Sequence, residues 1–467
     1  MSAPAGQTPP GGALPGDTPP GAPTRLRREL GTFGAVGLGL GSILGTGVFV
    51  SLGLAAGAAG PAVVLAVVLA ALLAAANGLS SAQLAAAFPV SGGTYEYGYR
   101  TLGSYAGFTA GWMFLCAKSA SAATAALGFA GYGLNALESA GWAAAGQYRV
   151  PVAVATALVF TALVSGGVRR STRTNFALVG VALAALVFFV VAGAPLALAR
   201  AGESFTPFFA GSSGRGPVSG LLYATALTFV AYTGYGRIAT LGEEVREPRR
   251  TIPRAIVSTL LVTVVVYVAV AAVGVGVGGA GTYAAATRGE AAPLEVLAAS
   301  FAGEGGAWLV AAGALTAMLG VLLNLLLGLS RVLLAMGRRG DAPAALARVD
   351  ESASTPRRAV WVVGFAVAAL ALVGSVETTW SFSAFTVLVY YALTNLAALR
   401  LPPERRLFPR WIPVFGLVGC LFVAFWVEPR VWAAGLGLIA AGLLWHAFAR
   451  RGGSGKGKRS QVDSGPP

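Results

Sequence analysis

The sequence predicts an all-α polytopic membrane protein with twelve transmembrane helices, of which the first and the sixth are discontinuous. The first observation is composition, because 56% of the residues are hydrophobic and only 11% are charged, against about 25% charged residues in soluble proteins. The second is that apolar runs long enough to cross a bilayer recur along the chain. The third is that two of these runs are interrupted by glycines and hydroxyl side chains.

Residues 1–24 precede the first apolar run and are rich in Pro, Gly, Ala and Thr. They contain no apolar run, so we expect a disordered cytoplasmic tail rather than a signal peptide. The predicted spans are residues 31–56, 61–86, 104–134, 150–168, 174–199, 217–240, 254–276, 306–336, 358–375, 378–400, 411–427 and 430–449.

The distribution of basic residues tests this number of spans. With the N-terminus in the cytoplasm, the cytoplasmic loops hold 25 Lys and Arg residues and the external loops hold five. A miscounted helix would invert every later loop and destroy the contrast. The sequence therefore predicts a multi-pass protein of the plasma membrane with both termini in the cytoplasm, and the net charge of +15 needs no nucleic acid to explain it.

The two interrupted helices divide the predicted core, residues 25–400, into helices 1–5 and 6–10. The first interrupted helix starts on the cytoplasmic side of the membrane and the sixth starts on the external side. Because the two halves therefore cross the membrane in opposite directions, we predict a five-plus-five inverted repeat. Residues 401–449 hold helices 11 and 12, which lie outside the repeat. Residues 450–467 form a basic cytoplasmic tail that we expect to contact membrane lipids.

The interruptions themselves indicate a binding site. Residues 41–47 (GSILGTG) place three glycines and two hydroxyls in the middle of the first run, and residues 231–236 (AYTGYG) do the same in the sixth. A broken backbone inside a membrane needs protein or a water-filled cavity to satisfy it. Interruptions at corresponding places in two halves favour a ligand site at mid-membrane, whereas a packing seam of small residues is the alternative.

Four segments resemble the amino acid–polyamine–organocation (APC) superfamily of permeases, and most of all its cationic amino acid transporter branch. They are GSILGTGVF (41–49), FPVSGGTYEYGYRTLG (88–103), GYGRIATLGEEVREPRRTIPRAI (234–256) and SRVLLAMGRRGDAP (330–343), in the order found in that superfamily. The resemblance implies a secondary active transporter that binds the amino acid zwitterion at both breaks and moves it by alternating access.

The resemblance also implies the binding residues, and the termini of the half-helices give them a chemical role. Free N–H groups at a half-helix N-terminus suit a carboxylate, and free carbonyls at a C-terminus suit an ammonium. We expect the carboxylate at Gly45, Thr46 and Gly47. We expect the ammonium at the carbonyls of Ser42, Ile43, Val230, Ala231 and Thr233, and Gly234, Tyr235 and Gly236 complete the predicted site.

Two features of the sixth run bear on specificity and gating. Tyr232 and Tyr235 either line or gate the pocket, or only pack between helices. In the cationic branch an acidic residue usually follows the GF or GY pair of helix 6, and Gly236 stands at that position here. A counter-ion for a cationic side chain is therefore missing, which favours a neutral substrate.

Lys118 lies about midway along the third apolar run. A charged side chain at this depth in a membrane suggests a functional role. The alternatives are that the side chain snorkels to the membrane surface or contacts a water-filled vestibule. Many relatives carry a lysine in helix 5 in place of a sodium ion, and the alignment of GVRRSTRTN (167–175) puts Ala182 at that position. Because a buried lysine can release its proton, Lys118 is a candidate for proton coupling.

Arg237 follows the sixth-run interruption, and Glu243 and Glu244 come six and seven residues later. The three residues are candidates for an inner gate, with a solvated helix end as the alternative.

Other function classes lack the residues they would need. A membrane enzyme requires a cluster of His, Asp, Cys or Ser partners, but the chain has one histidine and two distant cysteines, so we expect no catalytic residue, metal or cofactor. A polyamine permease would need several acids in its pocket, and an exchanger of the same superfamily stays open as an alternative. The sequence does not determine the substrate, the coupling ion or the oligomeric state.

Overall fold

The computed structural model describes residues 31–88, 92–142, 145–167, 172–211, 214–239, 245–350 and 355–457. Within these ranges the secondary structure is helical, apart from turns and one isolated bridge between Asp350 and Thr355. The sequence explains this, because long apolar runs rich in Ala and Leu satisfy their backbone hydrogen bonds internally as helices.

The described residues form sixteen α-helices, numbered here in chain order. They are α1 (Thr32–Ile43), α2 (Leu52–Ala59), α3 (Val63–Ala87), α4 (Thr94–Thr101), α5 (Ser104–Ser139), α6 (Arg149–Ser165), α7 (Thr172–Ala199), α8 (Ala201–Ser204), α9 (Pro217–Tyr232), α10 (Gly236–Ala239), α11 (Pro248–Gly289), α12 (Pro293–Arg339), α13 (Arg357–Ala371), α14 (Val376–Leu399), α15 (Trp411–Ala424) and α16 (Pro429–Gly457).

The first predicted interruption is present. Helix α1 ends at Ile43, Leu44 is extended with φ −72° and ψ 99°, and the chain resumes as a π-helical segment, Gly47–Ser51, before α2. The second is also present, but it takes a tighter form. Helix α9 ends at Tyr232, a 3₁₀ turn covers Thr233–Tyr235, and the short α10 follows.

Eight helical segments of the described chain are long and apolar enough to cross a membrane. One of them covers Thr32 to Ala87, includes the first break and contains the first two predicted spans. Three other predicted spans correspond to helices that are shorter than these eight segments. They are α9, α13 and α15, which have 16, 15 and 14 residues. The chain is therefore a multi-pass membrane protein, while the number twelve and the inverted repeat stay predictions.

Two long helices bend at glycines with positive φ. Gly279 in α11 has φ 72° and Gly303 in α12 has φ 63°, conformations that glycine adopts without steric cost. The bend at Gly303 separates the first ten residues of α12 from the rest. The centre of the fold is α5, which packs against α12 and α14 and is largely buried.

Candidate functional site

The main cavity of the described chain lies between the two helix breaks and has a volume of about 1010 Å³. The first break contributes Ser42, Ile43, Thr46 and Gly47. The second break contributes Val230, Ala231, Thr233, Gly234 and Gly236. Nine of the eleven predicted binding residues therefore share one cavity.

The two breaks contact each other directly at glycines. A Cβ on Gly234 would collide with the carbonyl group of Ser42, and a Cβ on Gly47 would lie 2.8 Å from the Cα of Ala231. The buried hydroxyl of Tyr267 lies 2.9 Å from the carbonyl oxygen of Ile43 and 3.2 Å from that of Ala231. Only residues without side chains allow this approach, so the glycines of the sequence motifs have a specific steric role here.

Thr46 carries the hydroxyl of the first break that lacks a partner in the part of the chain that the structure describes. Its side chain is 3% exposed, and its Oγ1 has no hydrogen-bond partner among the described residues. Buried hydroxyls are normally hydrogen-bonded. Thr46 also precedes the second half-helix, where free N–H groups give the backbone a partial positive charge. The first break therefore offers donors to an anionic ligand.

The carbonyl groups predicted for the ammonium are partly engaged within the protein. The carbonyl of Val230 accepts from Thr233 Oγ1 at 2.7 Å, and that of Thr233 accepts from the Tyr391 hydroxyl at 3.3 Å. The Val230 oxygen also accepts from the backbone N–H of Thr233, and the Thr233 oxygen also accepts from that of Gly236. A carbonyl oxygen has two lone pairs, so both oxygens already have their two hydrogen bonds within the protein.

Lys118 reaches the second break rather than the position of Ala182. Its Nζ donates to Thr233 Oγ1 at 2.8 Å, and the lysine lines the main cavity. Ala182 lines a separate small cavity together with Gly41, Leu44 and other residues. The two positions therefore belong to different cavities, and Lys118 does not occupy the place predicted for the missing helix-5 lysine.

Other predicted residues lie outside the cavity wall. Gly45 is buried against Val321, and the Tyr232 hydroxyl lies 3.3 Å from the carbonyl oxygen of Val67. Tyr235 is fully buried, with its ring 5.5 Å from that of Tyr391. The two tyrosines thus pack between helices, as the alternative interpretation had it, and do not line the site in this conformation.

Of the three candidates for an inner gate, only Arg237 lies within the described residues. Arg237 lines the cavity and has a polar contact within the protein. Glu243 and Glu244 lie outside the described residues, so the predicted gate stays untested.

Several cavity residues were not predicted from the sequence. Phe114 and Ser121 of α5 are two of them, and with the predicted Lys118 they lie at i, i+7 and i+4, so the three share one helix face towards the cavity. This spacing could have identified Phe114 and Ser121 once Lys118 was suspected. Trp380 and Tyr391 of α14 also line the cavity, and nothing in the sequence distinguishes them from ordinary core aromatics.

Asn324 illustrates why a lone amide is ambiguous in sequence. It lines the cavity, and its Nδ2 lies 3.3 Å from the carbonyl oxygen of Gly41 just before the first break. It therefore links α12 to α1 and is exposed to the cavity as well.

One end of the cavity is lined by charged residues. Nη2 of Arg339 donates to both carboxylate oxygens of Glu96, at 2.6 and 2.7 Å, and the guanidinium lies 4.1 Å above the Tyr99 ring. Arg331 and Arg338 line the same end. This arrangement identifies the mouth of the cavity.

Beside the mouth, Asp341 joins three helices. Its Oδ2 accepts hydrogen bonds from the hydroxyls of Tyr95 at 2.7 Å and Tyr99 at 2.6 Å, and its Oδ1 lies 3.1 Å from His446 Nδ1. Burial, together with these bonds to Asp341, raises the pKa of both phenols, so they stay protonated donors. In the described chain no group of three His, Cys, Asp or Glu side chains could hold a metal ion.

The chain is similar to known transporters over most of its length. It matches the family model described as "Amino acid permease" at residues 34–462. It is 40% identical to an uncharacterized transporter of Mycobacterium tuberculosis, over 92% of both chains. It is 29% identical to the branched-chain amino acid permease BcaP of Bacillus subtilis, over 85% of this chain and 88% of that protein.

It is also 30% identical to the human cationic amino acid transporter 4, over 81% of this chain and 60% of the human protein. These matches agree with the superfamily resemblance of the four sequence segments, and they concern transporters rather than enzymes. The cavity between two broken helices is also what a permease requires. The chain therefore belongs to the amino acid permease family.

Proposed function

We propose that the protein is a secondary active transporter of the plasma membrane that moves amino acids by alternating access. The observation that carries the proposal is the Thr46 hydroxyl, which is buried at a helix break, lines the cavity and has no partner in the described chain. In this proposal the substrate carboxylate binds Thr46 and the neighbouring N–H groups. The substrate ammonium binds the carbonyl oxygens of Ser42, Ile43 and Ala231.

The proposed orientation follows from the distribution of basic residues. Arg331, Arg338 and Arg339 surround the cavity mouth, and basic residues concentrate on the cytoplasmic side of membrane proteins. The conformation is then the one open to the cytoplasm, with both termini on the same side. Transport requires a second conformation in which the mouth closes and the opposite side opens.

The proposed substrates exclude cationic amino acids and polyamines. The carboxylate of Glu96 is already bound to Arg339, and the other charged residues known to line the cavity are basic. A cationic side chain would find repulsion rather than a counter-ion there. Net uptake and exchange of amino acids both fit the same site.

The experiment is thermal stabilisation of the purified protein by each of the twenty amino acids, with putrescine and agmatine as amine controls. A ligand that binds only the folded state raises its Tm. We expect stabilisation by non-cationic L-amino acids and none by the amines. Thr46→Val should weaken that binding about tenfold, because it removes one hydrogen bond to a charged group without changing side-chain shape.

The matched control is Thr316→Val, since the exposed Thr316 hydroxyl bonds only to the carbonyl of Ala312 in its own helix. Its affinity should equal that of the parent protein. Stabilisation by amines alone would contradict the amino acid substrate, and unchanged affinity in Thr46→Val would contradict the binding mode.

The proposal includes a coupled proton carried by Lys118, whose only partner among the described residues is the Thr233 hydroxyl. Lys118→Met keeps an unbranched side chain, one atom shorter, and removes the titratable group. We expect it to abolish the dependence of uptake on an imposed pH gradient in proteoliposomes. An unchanged pH dependence of uptake in Lys118→Met would exclude this role.

A further inference from the structure

The ammonium group of Lys118 is buried in the cavity wall and contacts no carboxylate of the described residues. The residue is 8% exposed, and its Nζ donates to Thr233 Oγ1 at 2.8 Å. A lysine ammonium has three donors, and within the described ranges Lys118 makes this one hydrogen bond and no ion pair. A charge placed in a low-dielectric interior without a partner is costly, so the arrangement calls for an anion from outside the protein.

The cavity wall offers Lys118 no protein anion in the described chain. Its lining residues include the basic side chains of Arg237, Arg331, Arg338 and Arg339, and Glu96 is the carboxylate among them. Both Glu96 oxygens are bound to Arg339 at the mouth. The interior is therefore positively charged, which attracts anionic ligands and repels cationic ones.

Lys118 is separate from the group proposed to bind the α-carboxylate. Thr46 belongs to the first break, whereas Lys118 projects from α5 and is bonded to Thr233 in the second break. Phe114 and Ser121 flank Lys118 on the cavity face of α5. The cavity thus has two donor groups on different helices, each with unused hydrogen-bonding capacity among the described residues.

We infer that the substrate carries a second carboxylate, which binds the Lys118 ammonium while the α-carboxylate binds at the first break. The substrate class is then acidic L-amino acids, and Lys118 determines this specificity. The inference rests on the proposed function. It adds a substrate preference, because a site formed by the two breaks alone would accept any amino acid zwitterion.

The experiment measures the affinities of L-glutamate, L-glutamine and L-lysine for the full-length protein by competition for uptake in proteoliposomes and by thermal stabilisation. We expect the parent protein to bind glutamate about tenfold or more tightly than glutamine, as one charge-assisted hydrogen bond provides. Lys118→Met should bring this ratio close to one with little change for glutamine. Lys118→Glu should favour lysine over glutamate.

Two variants control the comparison. Arg410→Met removes one positive charge at an exposed position outside the cavity lining, and it should keep the preference for glutamate. Lys118→Arg keeps the charge and should retain most of the preference, which separates specificity from folding if Lys118→Met is unstable.

The outcomes separate this inference from the proposed function. Equal binding of glutamine and glutamate by the parent protein, or an equal loss of both in Lys118→Met, would overturn the inference and leave amino acid transport intact. Failure of every amino acid to bind would overturn the proposed function itself.

Discussion

Gly234→Ala is expected to reduce amino acid uptake at least about a hundredfold. The new Cβ would collide with the carbonyl oxygen and carbon of Ser42, which belong to the backbone and cannot rotate away. The two breaks must then separate, and a displacement of about 1 Å at a site can cost about a hundredfold in rate. Uptake in proteoliposomes and ligand-induced stabilisation measure the effect.

Gly328→Ala is the matched control for this substitution. Gly328 is also a cavity-lining glycine, and a Cβ there would meet no atom within 4 Å. Because alanine is the better helix former by about 1 kcal/mol, the α12 variant should be at least as stable as the parent, with uptake within about twofold of it. Equal losses in both variants would show that the contact between the breaks is not what limits transport.

Asp341→Ala is expected to lower the free energy of unfolding by about 3 kcal/mol or more. The truncation removes the acceptor of Tyr95 and Tyr99 and the partner of His446, and it leaves their polar groups at a buried junction of α4, α12 and α16. Chemical denaturation in detergent micelles measures the change.

Two further variants define the cause of that loss. Asp341→Asn keeps an oxygen acceptor and removes the charge, so its stability should lie between that of the parent protein and that of Asp341→Ala. Asp350→Ala breaks the partly exposed 2.9 Å pair with Arg357, and exposed pairs contribute at most about 1 kcal/mol. Similar losses of stability for Asp341→Ala and Asp350→Ala would show that the buried contacts of Asp341 contribute no more than an exposed ion pair.

The sequence predicted the features that depend on local composition. Apolar runs identified a helical membrane protein, and the glycines at 41–47 and 231–236 located both breaks. The four motif segments led to the correct family, which the family model confirms. These predictions succeed because hydrophobicity, helix propensity and motif spacing are properties of residues close together in the chain.

Sequence reasoning was less successful for side-chain orientation within the breaks. Tyr232 and Tyr235 lie at the second break, yet both are buried and neither lines the cavity, while Trp380 and Tyr391 of α14 line it. A single turn of 3₁₀ helix changes which face a side chain occupies, because it has three residues per turn instead of 3.6.

The sequence by itself determined the class of the protein, its helices and the location of the breaks. Only the tertiary structure decided that Lys118 bonds to Thr233, 115 residues away, and that Asp341 accepts from Tyr95, 246 residues away. Such partners follow from how helices pack against one another in three dimensions, which no local pattern encodes. The physical reason is that a buried polar group takes whichever complementary atom the packing brings within about 3 Å.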